Sequence, residues 1–197
     1  MNKTAENTPV PGPAAALLIV DVQRAIDNPS WGPRNNPQAE SNMSRLLAAW
    51  RAHEMAVIHI RHDSLDPHST YRPGQPGNAF KSEVLPIAGE TIIAKRTNSA
   101  FIGTHLEAHL KEHGLGQLVT IGVITNNSVE ATVRMAGNLG FETFVVADAT
   151  ATVDKSDLSG HLWTAEEVHA LSLANMAGEY ATVLSTDEAL TAVSATA

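Results

Sequence analysis

The sequence contains 197 residues, 43% of them hydrophobic, and carries a formal net charge of −8. A chain of this size predicts one compact domain with a single core. The negative charge argues against a nucleic-acid partner, because binding to a phosphate backbone relies on clustered lysine and arginine. The apolar runs are far shorter than the roughly 20 residues that cross a bilayer, and the opening "MNKTAENT" has no signal-sequence core. We therefore expect a soluble, cytoplasmic protein without a membrane partner.

Strands and helices alternate along the chain. The run "AAALLIV" at 14–20 is apolar throughout and of strand length, which is typical of a parallel strand covered on both faces. Apolar residues at helical spacing follow at 37–53, and "AVIHI" at 56–60 completes a βαβ unit. Further strands are predicted at 90–95, 117–123, 141–147 and 180–185, and further helices at 104–113, 128–139 and 164–177.

Six strands with intervening helices predict an α/β fold, a three-layer α/β/α sandwich around a mostly parallel six-stranded sheet. We assign 14–190 to this single domain, 1–13 to a flexible N-terminal segment and 191–197 to a C-terminal tail. The segment 61–83 is rich in Pro, Gly, Ser and Asn and is too long for an ordinary connection. It is either a functional loop or a plain ordered excursion.

Polar residues stand where several predicted strands end, and ligands in such sheets bind at the carboxyl ends of the strands. Asp21 follows the first strand, His62 and Asp63 follow the second, Lys95 ends the third, and Ser128 lies in the elbow after the fourth. An acid, an ammonium and a hydroxyl around one pocket would supply a base, an electrostatic partner and a nucleophile. Taken singly, Asp21 or Ser128 can equally be a helix cap.

Three segments carry a family resemblance. "LLIVDVQ", "KRTNSAF" and "GVITNNSVEATVRMAGNLGF" resemble, in order and spacing, the signature segments of the isochorismatase-like cysteine hydrolases, which include nicotinamidases. The resemblance runs over 14–186 and implies an Asp–Lys–Cys triad at Asp21, Lys95 and position 128. It also implies an oxyanion hole formed by the N–H groups of Ile124 and residue 128, with a cis peptide bond between Val123 and Ile124. The implied activity is hydrolysis of a small amide, lactam or imide.

The nucleophile of the resembled family is missing, because Ser128 stands where the pattern has cysteine. A helix N-terminus and Lys95 would lower a thiol pKa enough to give thiolate near neutral pH, whereas a serine hydroxyl gains far too little. A serine-hydrolase interpretation is poorly supported, since the sequence has no Gly-x-Ser-x-Gly elbow and no histidine obviously placed as the base. The sequence therefore predicts an inactive or nearly inactive form.

Three explanations of Ser128 stay open. It is an engineered Cys-to-Ser change that blocks turnover, a natural variant that binds without cleaving, or a member whose chemistry needs no nucleophile. We favour the first, because Cys-to-Ser is the smallest change that removes nucleophilicity and the neighbouring motif is intact. A different function class, a non-catalytic binding or scaffold protein, is the alternative. Retention of Asp21 with Lys95 favours the enzyme.

Substrate contacts are predicted at Gln23, Asn98, Phe101 and Asn127, which adjoin the signature residues. Phe101 can alternatively belong to the core and Asn98 to a turn. A further polar cluster follows the second strand and consists of His59, His62, Asp63, Asp66 and His68. Its spacing does not match strand-end metal ligands, so we predict no metal and no cofactor. The expected partners are a small amide-type substrate and further copies of the chain, because this fold commonly forms homo-oligomers.

Overall fold

A computed structural model describes residues 9–195 of the protein. The strands are β1 Ala15–Val20, β2 Val57–His62, β3 Thr91–Lys95, β4 Gln117–Val123, β5 Glu142–Ala151, β6 Lys155–Ser156, β7 Leu162–Trp163 and β8 Thr182–Leu184. The helices are α1 Ala39–Ala52, α2 Leu106–Glu112, α3 Glu130–Asn138, α4 Ala165–Met176 and α5 Thr186–Ser194. Within the described part of the chain, no helix is long and apolar enough to cross a membrane.

Six strands form one sheet in the order β3-β2-β1-β4-β5-β8, and every neighbouring pair in it is parallel. Strands β6 and β7 form a separate antiparallel hairpin. The predicted parallel sheet is confirmed, and β1 lies at its centre. Because the strands are parallel, their carboxyl ends meet at one edge, which is where the candidate site residues were predicted.

Helices cover both faces of the sheet and create two cores. All six residues of β1 are buried, and its side chains alternate between the two faces. Leu17 and Ile19 pack in the core that includes Trp50 of α1 and Val193 of α5. The opposite core contains apolar residues of α2, α3 and α4, among them Leu106, Leu110, Val133, Ala136 and Met176. The continuous apolar run therefore follows from burial on both sides, and the three-layer prediction is confirmed.

The C-terminal boundary predicted at residue 190 is wrong. Helix α5 continues to Ser194, and Val193 is buried in the core, so most of the predicted tail is part of the domain. The helix begins with a capping box, in which Ser185 accepts a hydrogen bond from the Glu188 N–H and Glu188 binds the Ser185 backbone. The predicted flexible N-terminal segment lies largely outside the described residues.

Gly122 sets the approach of β4 to β1 just before the elbow. Its φ is +130°, a backbone conformation that residues with a Cβ atom rarely adopt. A Cβ atom at this position would overlap the carbonyl oxygen of Val20 on β1. The glycine of the elbow segment therefore allows the ends of β1 and β4 to lie close together, which places Asp21 beside the turn after β4.

Candidate active site

The three predicted catalytic side chains converge at the carboxyl edge of the sheet. Lys95 at the end of β3 donates a hydrogen bond from Nζ to Asp21 Oδ2 at 2.6 Å and to Ser128 Oγ at 3.1 Å. The same ammonium group donates to the carbonyl of Thr97 at 3.0 Å. All three side chains are buried. An acid, an ammonium and a hydroxyl thus form one connected group, as the sequence predicts.

Asp21 is positioned to accept a proton. Its φ of 55° lies in the left-handed region, which aspartate adopts more readily than most residues, and turns the chain sharply after β1. Its Oδ2 atom is held by Lys95, whereas its buried Oδ1 atom has no hydrogen-bond partner among the described residues. Buried polar atoms are normally paired, so a carboxylate oxygen left open beside Ser128 has the placement of a general base.

Burial and charge set the proton affinities of this group. Burial raises the pKa of Asp21, while attraction to Lys95 and its hydrogen bond act in the opposite direction. Burial lowers the pKa of Lys95, and the nearby Asp21 carboxylate opposes that shift. A carboxylate with a raised pKa takes up a proton more readily than an exposed one, which is the property that a general base near neutral pH requires.

The elbow is a π-helical turn, Thr125–Val129, that leads directly into α3. The bond between Val123 and Ile124 is cis, as the resemblance implies. Thr125 Oγ1 lies 2.9 Å from Nδ1 of the buried His169, which joins the turn to α4. Ser128 therefore lies on a turn that is fixed to a strand on one side and to two helices on the other.

A cavity of about 140 Å³ opens above Ser128. Of the predicted residues, Asp21, Ile124, Ser128, Asn98 and Asn127 line it. The remaining lining residues are Trp31, His62, Ser69, Tyr71 and Val123. Of these, only His62 carried a strand-end signal in the sequence. Trp31 ends a 3-10 helix, Pro29–Trp31, that no motif in the sequence indicates, whereas Ser69 and Tyr71 lie in the segment 61–83 that the sequence offers as a functional loop.

Two predicted substrate contacts are corrected by the structure. Gln23 is fully buried and does not line the cavity. Its Nε2 donates to the carbonyls of His62 and Asn78, and its Oε1 accepts from the His62 N–H. Gln23 therefore fixes the loop after β2 through the backbone. Phe101 stacks on Phe141 with ring centroids 5.9 Å apart, and it belongs to the core, as its alternative interpretation held.

The polar cluster after β2 does not assemble. In residues 9–195, no three histidine, aspartate or glutamate side chains form a group that could hold a metal ion. His59 is buried and hydrogen bonds to Glu90 at 2.8 Å, and Asp63 pairs with Arg61 at 2.9 Å. Asp66 accepts a hydrogen bond from the backbone of His68. The members of the cluster therefore have separate structural partners.

Comparison with known proteins places the fold and the site in context. Residues 15–188 match the Isochorismatase domain. The chain belongs to the isochorismatase family. It is 45% identical over 173 residues to the isochorismatase family protein YrdC of Bacillus subtilis, covering 88% of this chain and 92% of the relative. The crystal structure of an isochorismatase-family protein from Chromobacterium violaceum superposes with a TM-score of 0.92 at 56% identity, covering 95% of this chain and 100% of that one.

A more distant family relative has a name that denotes an activity. Nicotinamidase 3 of Arabidopsis thaliana is 27% identical over 187 residues, covering 88% of this chain and 86% of the relative. The family resemblance drawn from the three sequence segments is confirmed by these matches, and isochorismatase-family proteins are generally hydrolases.

Proposed function

We propose that the site serves the hydrolysis of a small amide, lactam or imide C–N bond, and that Ser128 leaves this sequence inert or nearly so. The observation that supports the proposal is the buried Asp21–Lys95–Ser128 group beneath a cavity of about 140 Å³. A pocket that only binds a ligand does not need a buried carboxylate with an unpaired oxygen next to an ammonium group. The name of the nicotinamidase relative points to the same class of reaction.

The proposed steps apply to a form with cysteine at position 128. Asp21 accepts the thiol proton, and the sulfur attacks the carbonyl carbon to form a C–S bond. The C–N bond then breaks as Asp21 returns the proton to the leaving amine, which leaves a thioester. Water hydrolyses the thioester and restores the thiol. Lys95 holds the Asp21 carboxylate in place, and the N–H groups of Ile124 and residue 128 stabilise the oxyanion.

Serine slows the first of these steps. A thiol with an ordinary pKa near 8.5 is brought close to neutral by a helix N-terminus and a neighbouring ammonium, so a useful fraction is thiolate. A hydroxyl has almost no anionic fraction under the same influences. The pocket around Ser128 can therefore bind a substrate without hydrolysing it.

The direct test is Ser128→Cys assayed with a panel of amides, lactams and imides, by ammonia release for the primary amides and by mass spectrometry of the ring-opened products for the lactams and cyclic imides. We expect the rate to rise by a factor on the order of 10³ or more, while ligand affinity changes little. Ser128→Ala should bind the same ligands without turnover. Ser159→Cys places a thiol in the exposed turn between β6 and β7 and should remain inert. If the Ser128→Cys variant hydrolyses no compound that it binds, the non-catalytic binding protein replaces the hydrolase.

A second mechanism has one observation in its favour. Lys95 Nζ lies 3.1 Å from Ser128 Oγ, and burial lowers the pKa of that lysine. Serine–lysine pairs act as nucleophile and base in other hydrolases. Equal turnover by the serine and cysteine forms would show that Ser128 is itself the working nucleophile.

A further inference from the structure

The cavity above Ser128 is small. Its volume of about 140 Å³ lies well below the roughly 300–1,000 Å³ of pockets that enclose drug-sized ligands. The enclosed part of the cavity therefore has room for little more than the reacting group and one small substituent.

Three rings form one corner of the cavity, which we call the aromatic corner: Trp31, His62 and Tyr71. The ring centroids of Trp31 and Tyr71 lie 6.3 Å apart, and those of His62 and Tyr71 lie 5.7 Å apart, both edge to face. The Trp31 Nε1–H is already donated to the Ala25 carbonyl at 2.9 Å. Gln23 fixes the backbone of His62. The corner therefore presents ordered, mostly apolar ring surface, against which a flat group packs well.

The cavity has no free charge for a charged ligand to pair with. The Asp21 carboxylate is already bound to Lys95. His62 Nδ1 faces the Lys95 ammonium at 3.4 Å, and burial lowers the pKa of His62, both of which disfavour a charged imidazole. None of the ten lining residues, all in the described part of the chain, is lysine or arginine. The other polar side chains at the walls, Ser69, Asn98 and Asn127, are neutral. A buried ligand charge would stay unpaired, which is costly.

We propose that the site takes a small, flat, uncharged carboxamide, with its plane against the aromatic corner and its carbonyl facing Ser128. This substrate class rests on the proposed amide hydrolysis for the orientation of the carbonyl. Its size, flatness and neutrality rest on the volume, the rings and the charges of the cavity. It excludes amides that carry a carboxylate, such as ureido acids, and bulky amides in general.

Three probes of equal length separate these properties. Fumaramide is flat and neutral, fumaramate is flat and anionic, and succinamide is neutral but flexible. We expect ligand-observed NMR titration of the protein with Ser128 to give the tightest dissociation constant for fumaramide. Fumaramate should bind at least tenfold more weakly, and succinamide a few-fold more weakly. Equal or tighter binding of fumaramate, or no binding of any probe at millimolar concentration, would overturn the proposed ligand class.

Two variants test the cause of the preference. Asn98→Lys places a cation at the exposed rim of the cavity and should strengthen fumaramate binding at least fivefold without strengthening fumaramide binding. Trp31→Leu should weaken fumaramide binding by about two- to tenfold, which corresponds to the interaction energy of one aromatic pair. Trp163→Leu removes an exposed indole from β7, outside the cavity, and should change nothing. No effect of either cavity variant, with folding checked by thermal melting, would contradict the assignment.

Binding to the serine form requires no turnover, so the two proposals can fail separately. If the probe ranking holds but Ser128→Cys hydrolyses no amide, the hydrolase proposal fails and the ligand class stands. If Ser128→Cys hydrolyses amides but prefers fumaramate, the ligand class alone fails.

Discussion

Removing the ammonium group beneath the cavity should destabilise the protein in a pH-dependent way. Lys95→Met replaces the lysine by an uncharged side chain of similar length, at a position where the lysine side chain has 0% exposure. Asp21 then loses the partner that lies 2.6 Å from its Oδ2 atom and stays buried. Breaking a buried ion pair on one side costs about 3–5 kcal/mol, because the remaining charge is uncompensated. We expect a loss of this size at pH 8.

The sign of the pH dependence follows from Asp21. Burial already raises its pKa above the ordinary 3.8 in the folded protein, and Lys95 opposes that rise. Without Lys95 the folded pKa rises further, while the unfolded value stays ordinary. A group with a raised folded pKa binds its proton more tightly in the folded state, so the cost of the variant is small at low pH and grows as pH rises through the folded pKa.

Urea unfolding at pH 5, 6, 7 and 8 measures this difference for Lys95→Met against the unchanged protein. The double variant Asp21→Asn/Lys95→Met removes both charges and should recover most of the loss, since asparagine tolerates the φ of 55° at this position. Lys155→Met, on the exposed hairpin, is the matched control. A loss below about 1 kcal/mol at pH 8, or one equal at pH 5 and 8, would contradict the buried ion pair.

Three other changes test the surrounding structure. Gly122→Ala should abolish soluble protein or lower Tm sharply. The control is Gly116→Ala, where an added Cβ meets no atom within 4 Å, and its Tm should be unchanged. Equal Tm values for the two variants would mean that β1 and β4 do not approach closely. Burial raises the pKa of Glu90, but hydrogen bonds, from Arg51 first, lower it to about 2. Glu90→Gln should therefore lower the free energy of unfolding by up to about 3 kcal/mol at pH 7. The difference is present above the ordinary pKa of 4.5 and disappears as pH falls toward about 2. A loss that is independent of pH in urea unfolding would exclude the charge as its origin. Any amidase activity of Ser128→Cys should survive a chelator, and loss that zinc or iron restores would show a metal requirement.

The candidate catalytic group could be predicted because the prediction needs few assumptions. Asp21 and Lys95 stand at the ends of predicted strands, and Ser128 lies in the elbow that follows another. Because the strands of the sheet are parallel, their carboxyl ends meet at one edge whatever the loops do. In the order β3-β2-β1-β4, Asp21 and the turn with Ser128 follow neighbouring strands, whereas Lys95 ends β3 and its Nζ extends past the end of β2, 3.4 Å from His62 Nδ1, to reach Asp21.

The cavity walls could not be predicted in the same way. Trp31 ends a short 3-10 helix, and its Nε1–H donates to the Ala25 carbonyl. Tyr71 lies in a long loop, where its carbonyl accepts a hydrogen bond from the Asn78 side chain, and the Asn78 carbonyl in turn accepts one from Gln23. Proximity in sequence to a signature residue suggested that Gln23 faced the substrate. Proximity in sequence does not show which way a side chain points after the sharp turn at Asp21.

Helix α5 shows a signal that was present but unused. Ser185 and Glu188 have the spacing of a capping box, which predicts a helix start at that point. Thr164 and Glu167 have the same spacing at the start of α4, where the helix predicted at 164–177 begins. The predicted boundary at residue 190 is wrong because a helix follows the last strand and packs back on the sheet.

The position of Ser128 is determined by its backbone, and this separates binding from chemistry. The π-helical turn holds it between β4 and α3, and Thr125 anchors the turn to His169. Its Oγ atom accepts a hydrogen bond from Lys95 at 3.1 Å. Exchanging oxygen for sulfur there changes the pKa of one group and leaves the scaffold that positions it intact. In the mechanism that we propose, a chain with serine at this point therefore keeps its pocket but lacks a rapid first step, so the side chain at position 128, rather than the fold, would decide turnover.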